Sequence, residues 1–240
     1  MIPTGPIIDC VATLVGGILG TLLGNKIPER VRRTLPLTFG AASMAMGIFT
    51  IVKMHSLPPV ILALIVGSII GELLMIENAI GKAANSLKNP IQKLFPNGSK
   101  IEDEALFLEQ FVSVLVLFSA SGTGIFGALQ EGISHNPTIL ISKGFLDFFT
   151  ATIFATSLGA IVSITVVPQA IILFGLYFLA QIILPLTTPN LIADFSACGG
   201  IIMFVTGMRI CGIKTFPIAN MLPALVLVMI ISHYWAMFFG

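Results

Sequence analysis

Charge is scarce in this chain. Aspartate, glutamate, lysine and arginine make up 10% of its 240 residues, where an average soluble domain carries roughly 25%. Hydrophobic side chains account for 56%. The 12 basic and 11 acidic residues nearly cancel, so nothing in the charge balance points to a nucleic-acid or acidic partner. Disordered, collagenous and ordinary soluble chains are excluded. A polytopic membrane protein remains, because a spanning helix needs about 20 mostly apolar residues.

Apolar stretches set off by polar residues, Pro and Gly predict eight helical spans, at about 5–24, 34–52, 58–76, 105–129, 138–165, 168–186, 190–212 and 216–239. The division between the fifth and sixth, at Val166–Pro168, carries no charged loop. Runs of this length are helices rather than the ten-residue alternating strands of a barrel. The whole chain therefore reads as one all-α integral membrane domain with membrane lipid around it.

Basic residues orient the spans. Lys26, Arg30, Arg32 and Arg33 follow the first, Lys82, Lys88, Lys93 and Lys100 follow the third, and Arg209 and Lys214 precede the last. With eight spans all of these fall on one side, which is cytoplasmic, and both termini lie outside the cytoplasm. No Lys or Arg precedes Lys26, so the first span is expected to stay rather than be cleaved as a signal peptide. Its Gly16, Gly20 and Gly24 form a face on which another backbone can pack closely, in this chain or in a homodimer.

Segment 77–104 is expected to be an interfacial, amphipathic cytoplasmic connector. Ile76, Ile80, Ala83 and Leu87 form its stripe, and Pro90 stops it. A faint internal echo joins Gly40, Gly47 and Pro58 to Gly200, Gly207 and Pro217. The hairpins of spans two–three and seven–eight would have opposite orientation, the pattern of an inverted repeat.

Ionisable groups inside spans are costly and mark pathways or sites by default. Lys143 and Asp147 stand four apart on one helix face. Two readings fit them: an ion pair near the outer interface, or a pair facing a water-filled vestibule bordered by Gln130, Glu131 and Asn136 of the preceding connection. Asp194 lies in span seven, and Asp147 and Asp194 are the deep carboxylates. Asp9 suits a headgroup-level or N-terminal-turn role, with a substrate role as the alternative. Glu72 near the end of span three is either a pathway residue or one that snorkels to water, and Glu109 opens span four where the helix dipole favours it. The run Ser119-Ala-Ser121-Gly-Thr123-Gly permits either close packing or a helix break that exposes carbonyls and hydroxyls. Asn220 and Pro223 interrupt the last span, and Arg209 reaches the cytoplasmic interface.

Cys10, Cys198 and Cys211 are scattered, and His55, His135 and His233 fall near span ends, so no metal site or disulfide is expected. Tyr234 and Trp235 suit the outer headgroup belt. No Walker loop, nucleophile elbow, zinc-protease or dinucleotide motif occurs, so neither an enzyme nor a cofactor is expected.

Phe107-x-Glu109-x-Phe111-Val, the run Gly124–Gly132 and Lys143-x-x-x-Asp147, with Leu184–Pro189, Ala193–Ala197, Arg209–Lys214 and Asn220–Ala224, resemble the YqgA-like family of bacterial inner-membrane proteins. That family is also described as a domain of unknown function. The resemblance implies an inner-membrane location and names no substrate. From the residues we expect a transporter or channel-like carrier of a small solute or ion. Lys143, Asp147, Asp194, Ser119, Ser121, Thr123, Glu109, Glu72 and Asn220 are its candidate pathway residues. The alternative is a structural or partner-binding subunit, with the glycine faces as assembly surfaces.

Overall fold

The computed structural model describes residues 2–23, 26, 28–86, 111, 114–115, 117–119, 121–183 and 187–239, and among these there is no strand. The helices are α1 (Thr4–Leu23), α2 (Glu29–Ile51), α3 (Leu57–Leu73), α4 (Ile76–Ser86), α5 (Gly122–Ser134), α6 (Thr138–Leu158), α7 (Ile161–Ile164), α8 (Val166–Ile183), α9 (Pro189–Ile210), α10 (Ile218–Met221) and α11 (Pro223–Phe239). Among the described residues, five segments are long and apolar enough to cross a membrane: Thr4–Leu23, Thr138–Thr156, Ile161–Ile182, Pro189–Ile210 and Ile218–Phe238. Leu37–Ile51 and Leu57–Leu73 are shorter apolar stretches.

The helices gather into two groups. In one, α1 lies along α6, α5 along α8, and α1 also touches α7 and α8. In the other, α2 packs on α9 and α3 on α11. Helix α9 is the most enclosed, with Asp194 to Gly200 all buried. The groups meet where α5 crosses α9. There Phe126 and Phe195 sit 5.4 Å apart between ring centroids, and Gly199 leaves room for the Phe126 ring. The outward faces carry exposed Val11, Leu14, Ile18, Ile61, Ile65, Ile171 and Ile230. Apolar surface repeated on several long helices belongs in lipid rather than water.

Close backbone approach sets the helix directions. On α1, Gly16 lies against the Phe148 carbonyl and Gly20 against that of Thr152, so α1 and α6 run parallel. On α2, Gly40 faces Gly207 and Gly47 faces Gly200, so α2 and α9 run antiparallel. Gly67 abuts Ala224 and Gly71 abuts Asn220, so α3 and α11 are also antiparallel. Small residues at such crossings let backbones meet without the large side chains that would hold them apart.

Three boundaries differ from expectation. The fifth and sixth spans part at Gly159, not at Val166–Pro168, because Gly159 takes a φ of +76° that side chains disfavour. Pro168 falls in the first turn of α8, where its missing N–H costs little. The fourth span does not end at 129: α5 continues to Ser134, which places Gln130 and Glu131 on a helix. Helix α2 starts at Glu29, so Arg30, Arg32 and Arg33 belong to its first turns rather than to the connection. Of the 77–104 connector, α4 covers the start, while Leu87, Lys88, Pro90, Lys93 and Lys100 lie outside the described residues, as do Gly24 of the first span and Glu109 of the fourth.

The run at Ser119 resolves in favour of a break. The backbone is helical from Leu117 to Ser119. Ser121, in contrast, is extended (φ −71°, ψ 142°) and caps the new helix α5, its Oγ accepting from the Gly124 N–H at 3.1 Å.

Candidate functional site

Four polar side chains from three helices meet inside the first group. Lys143 of α6 donates from Nζ to Asp9 Oδ2 of α1 at 2.9 Å and to Asp147 Oδ2 one turn along its own helix. Gln169 of α8 donates from Nε2 to the same two oxygens, at 3.0 Å to Asp9 and 3.2 Å to Asp147. All four are buried: Asp9 and Gln169 are 0% exposed, Lys143 3% and Asp147 7%. Gly124, in the first turn of α5, leaves the space into which the Lys143 stem fits. A buried ion costs several kcal/mol unless it is paired and hydrogen-bonded. Here two carboxylates share a single ammonium.

This arrangement corrects several expectations. Lys143 and Asp147 do pair across one turn, and the pair is buried among α1, α6 and α8. Glu131 borders nothing open: it is buried, and both its oxygens accept the Gly5 N–H, at 3.0 and 3.1 Å, so it caps the start of α1. Gln130 accepts from Ser196 Oγ at 2.9 Å and thereby ties α5 to α9. Asp9 is buried as well and lies at the centre of the cluster. The deep carboxylate pair is thus Asp9 and Asp147, not Asp147 and Asp194. Gln169 had no local motif to announce it. An amide directly after Pro168 in an otherwise apolar helix was the available signal.

The other singled-out residues lie elsewhere. Asp194 accepts the backbone N–H groups of His55 at 2.9 Å and Ser56 at 2.7 Å, and the Ser232 hydroxyl. It therefore holds the entry of α3 against α9 and α11. Replacing Asp194 with alanine is expected to cost about 1–3 kcal/mol, since it strands three donors. A lower melting temperature in detergent checks this, with Asp194→Asn losing less because its carbonyl still accepts. Asn220 donates to Glu72 at 2.6 Å and accepts from the Glu77 N–H at 2.8 Å, while Arg209 pairs with Glu77. Together these fasten α10 to the α3–α4 turn. Thr123 Oγ1 stands 3.5 Å from Ser43 Oγ, which donates to the Met203 carbonyl at 3.0 Å. Ser119 Oγ is buried near the helix break without a hydrogen-bond partner among the described residues. No group of three His, Cys, Asp or Glu gathers in metal-binding range among the described residues.

A helical bundle with several membrane-length apolar segments, apolar outward faces and a buried ion cluster defines a multi-span integral membrane protein. The chain belongs to a family described as "Protein of unknown function (DUF554)", whose model matches residues 4–233. It is 48% identical over 236 residues to the uncharacterized protein YqgA of Escherichia coli (strain K12), covering 98% of this chain and 99% of that one. It is also 25% identical over 231 residues to the uncharacterized membrane protein YdfK of Bacillus subtilis (strain 168), covering 93% of each. No solved structure matches.

Proposed function

We propose that this protein carries a small solute or ion across the bacterial inner membrane, with the Asp9–Lys143–Asp147–Gln169 cluster as its working centre. The observation that carries the reading is the cluster itself. Two carboxylates on one ammonium are an expensive and unbalanced charge set for a membrane interior, and a purely structural pair would need only one. Asp194, Glu72 and Asn220 hold helices in place around it.

The architecture supports the same reading. A 160-residue offset carries α1, α2 and α3 onto α8, α9 and the α10–α11 pair almost end for end. It also carries Gly40 onto Gly200 and Gly47 onto Gly207, and each pair faces the other reciprocally. Two contacts join a residue to its own counterpart at that offset, Asp9 with Gln169 and Ser43 with Met203. We read this as an inverted repeat of three spans, its two-fold axis passing through the cluster. The fourth and fifth spans lie between the repeats and supply Gly124, Lys143 and Asp147. Transporters of this design bind at the repeat interface, near broken helices, and Ser121 supplies such a break.

The helix directions favour eight spans with both termini on one side, which the distribution of basic residues makes the periplasmic one. Parallel α1 and α6 and antiparallel α2–α9 and α3–α11 pairs are what strict alternation requires. Gly16 and Gly20 of α1, Gly40 and Gly47 of α2 and Gly67 and Gly71 of α3 pack against helices of this chain, which favours the carrier over a reading in which those glycines are assembly surfaces.

A thermal-shift screen of the detergent-purified protein against ions and metabolites identifies the ligand, since binding only the folded state raises the melting temperature. With that ligand, proteoliposomes should show gradient-driven uptake that falls to the protein-free background in Asp147→Asn. Undiminished uptake in that variant removes the cluster from the mechanism.

A further inference from the structure

The hydrogen bonds of the cluster do not balance. Lys143 and Gln169 supply donors to Oδ2 of Asp9 and Oδ2 of Asp147. That leaves Asp9 Oδ1 and Gln169 Oε1, both fully buried, with no hydrogen-bond partner among the described residues. Each is the second oxygen of a group already joined to the other by the Nε2–H···Oδ2 bond. A buried acceptor without a donor is costly, and here there are two on adjoining groups.

One proton resolves both. Placed on Asp9 Oδ1 and donated to Gln169 Oε1, it turns two orphan acceptors into a hydrogen bond. The paired groups then form the closed ring of a carboxylic acid and a carboxamide. The same proton settles the charge, because two ionised carboxylates and one ammonium leave the buried site with a net negative charge. Among the described residues, the titratable and charged groups facing Asp9 are few. Helix α6 brings Lys143 and Asp147, α8 brings the neutral Gln169, and α5 brings Glu131, which is held on Gly5 a turn away. Helix α7 brings Ser163 against Gly17, and Cys10 follows on α1 itself.

We infer that the Asp9–Asp147 pair holds one proton, seated between Asp9 Oδ1 and Gln169 Oε1, and that a proton is the ion this site takes up and releases. The second clause rests on the transport reading; the presence of the proton does not. Because the two carboxylates share the ammonium, the proton belongs to the pair, and either variant that neutralises one of them abolishes the need for it.

Infrared spectroscopy of the purified full-length protein in lipid tests this. At neutral pH the wild type should show the carbonyl stretching band of an un-ionised carboxylic acid. The band should vanish in Asp9→Asn and in Asp147→Asn, each of which leaves a one-to-one ion pair with Lys143, and persist in Glu131→Gln. It should shift in Gln169→Leu, which removes the acceptor. A band absent from the wild type, surviving in Asp9→Asn, lost in Glu131→Gln or unmoved by Gln169→Leu overturns the assignment. If Gln169→Leu does not fold, Asp9→Asn decides through stability. Its side-chain amide donates where the acid O–H does, so its melting temperature should equal or exceed that of the wild type, and a marked loss refutes the proposal. Uptake in proteoliposomes without the band would overturn the proton site and leave the carrier. The band without uptake of any screened ligand would retire the carrier and, with it, the coupling role.

Discussion

Replacing Lys143 with methionine is expected to cost about 3–5 kcal/mol of stability at neutral pH, the range seen when one partner of a buried ion pair is removed. Methionine fills much of the lysine stem's space beside Gly124, so the loss measures the ammonium rather than a cavity. The Asp9–Asp147 pair then lies buried without a counter-charge, and only its own proton and a second one can neutralise it. The folded variant binds those protons while the unfolded chain, with ordinary aspartates, releases them. Stability is therefore expected to rise as the pH is lowered from about 7 towards 5, still above the range in which an unfolded aspartate titrates. Melting temperatures in detergent at the two pH values check the size and the sign. Asp9→Asn and Asp147→Asn should each be far milder, because both leave a balanced pair. A Lys143→Met protein that melts like the wild type at both pH values would deny the lysine its role as counter-ion.

Alanine at Gly71 is the second large effect expected. A Cβ there would overlap the carbonyl oxygen of Asn220, which is backbone and has no rotamer to change. On Gly67, one turn earlier, it would stand 2.5 Å from the Ala224 backbone nitrogen. Relief requires α3 and the α10–α11 pair to move apart, which strains the Glu72–Asn220 and Glu77–Asn220 hydrogen bonds at the same seam. Gly71→Ala should cost about 1–3 kcal/mol by overpacking, and Gly67→Ala/Gly71→Ala should lower the yield of folded protein further. Gly175→Ala is the control: nothing lies within 4 Å of the added atom, so a change within about 0.5 kcal/mol is expected. Melting temperature and monodispersity in detergent separate the three.

The parts of the site that were readable in advance were those written at short range. Lys143 and Asp147 are four residues apart, and helical geometry alone brings them together. The glycines of α2 and α9 declared themselves by spacing, whereas the run of small residues near Ser121 left close packing and a break equally open. Asp9 and Gln169 left no such mark, because their meeting depends on a contact 160 residues apart in the chain. Read alone, an aspartate early in a first helix looks interfacial. Glu131 was misplaced for a related reason: Gln130-Glu131 resembles the start of a loop, and only the buried Gly5 amide in the first turn of α1, which has no carbonyl of its own helix to meet, explains a carboxylate on a buried helix end. Pro168 drew the boundary that belonged to Gly159, since a proline is tolerated in a first helical turn whereas a positive φ ends a helix outright.

The separation between Asp9 and its counter-charge also sets a schedule for synthesis. Lys143 lies 134 residues downstream. At about 5–20 residues per second, the first helix exists for roughly 7–27 s before the lysine is made. The helix that caps its N-terminal end, through Glu131, is also made late. During that interval α1 must reside in or beside the bilayer with its carboxyl neutralised by a proton or held at the surface. The seat of the first span is thus completed only by the fifth and sixth. A chain truncated before Lys143 should therefore hold α1 less firmly than the full chain does.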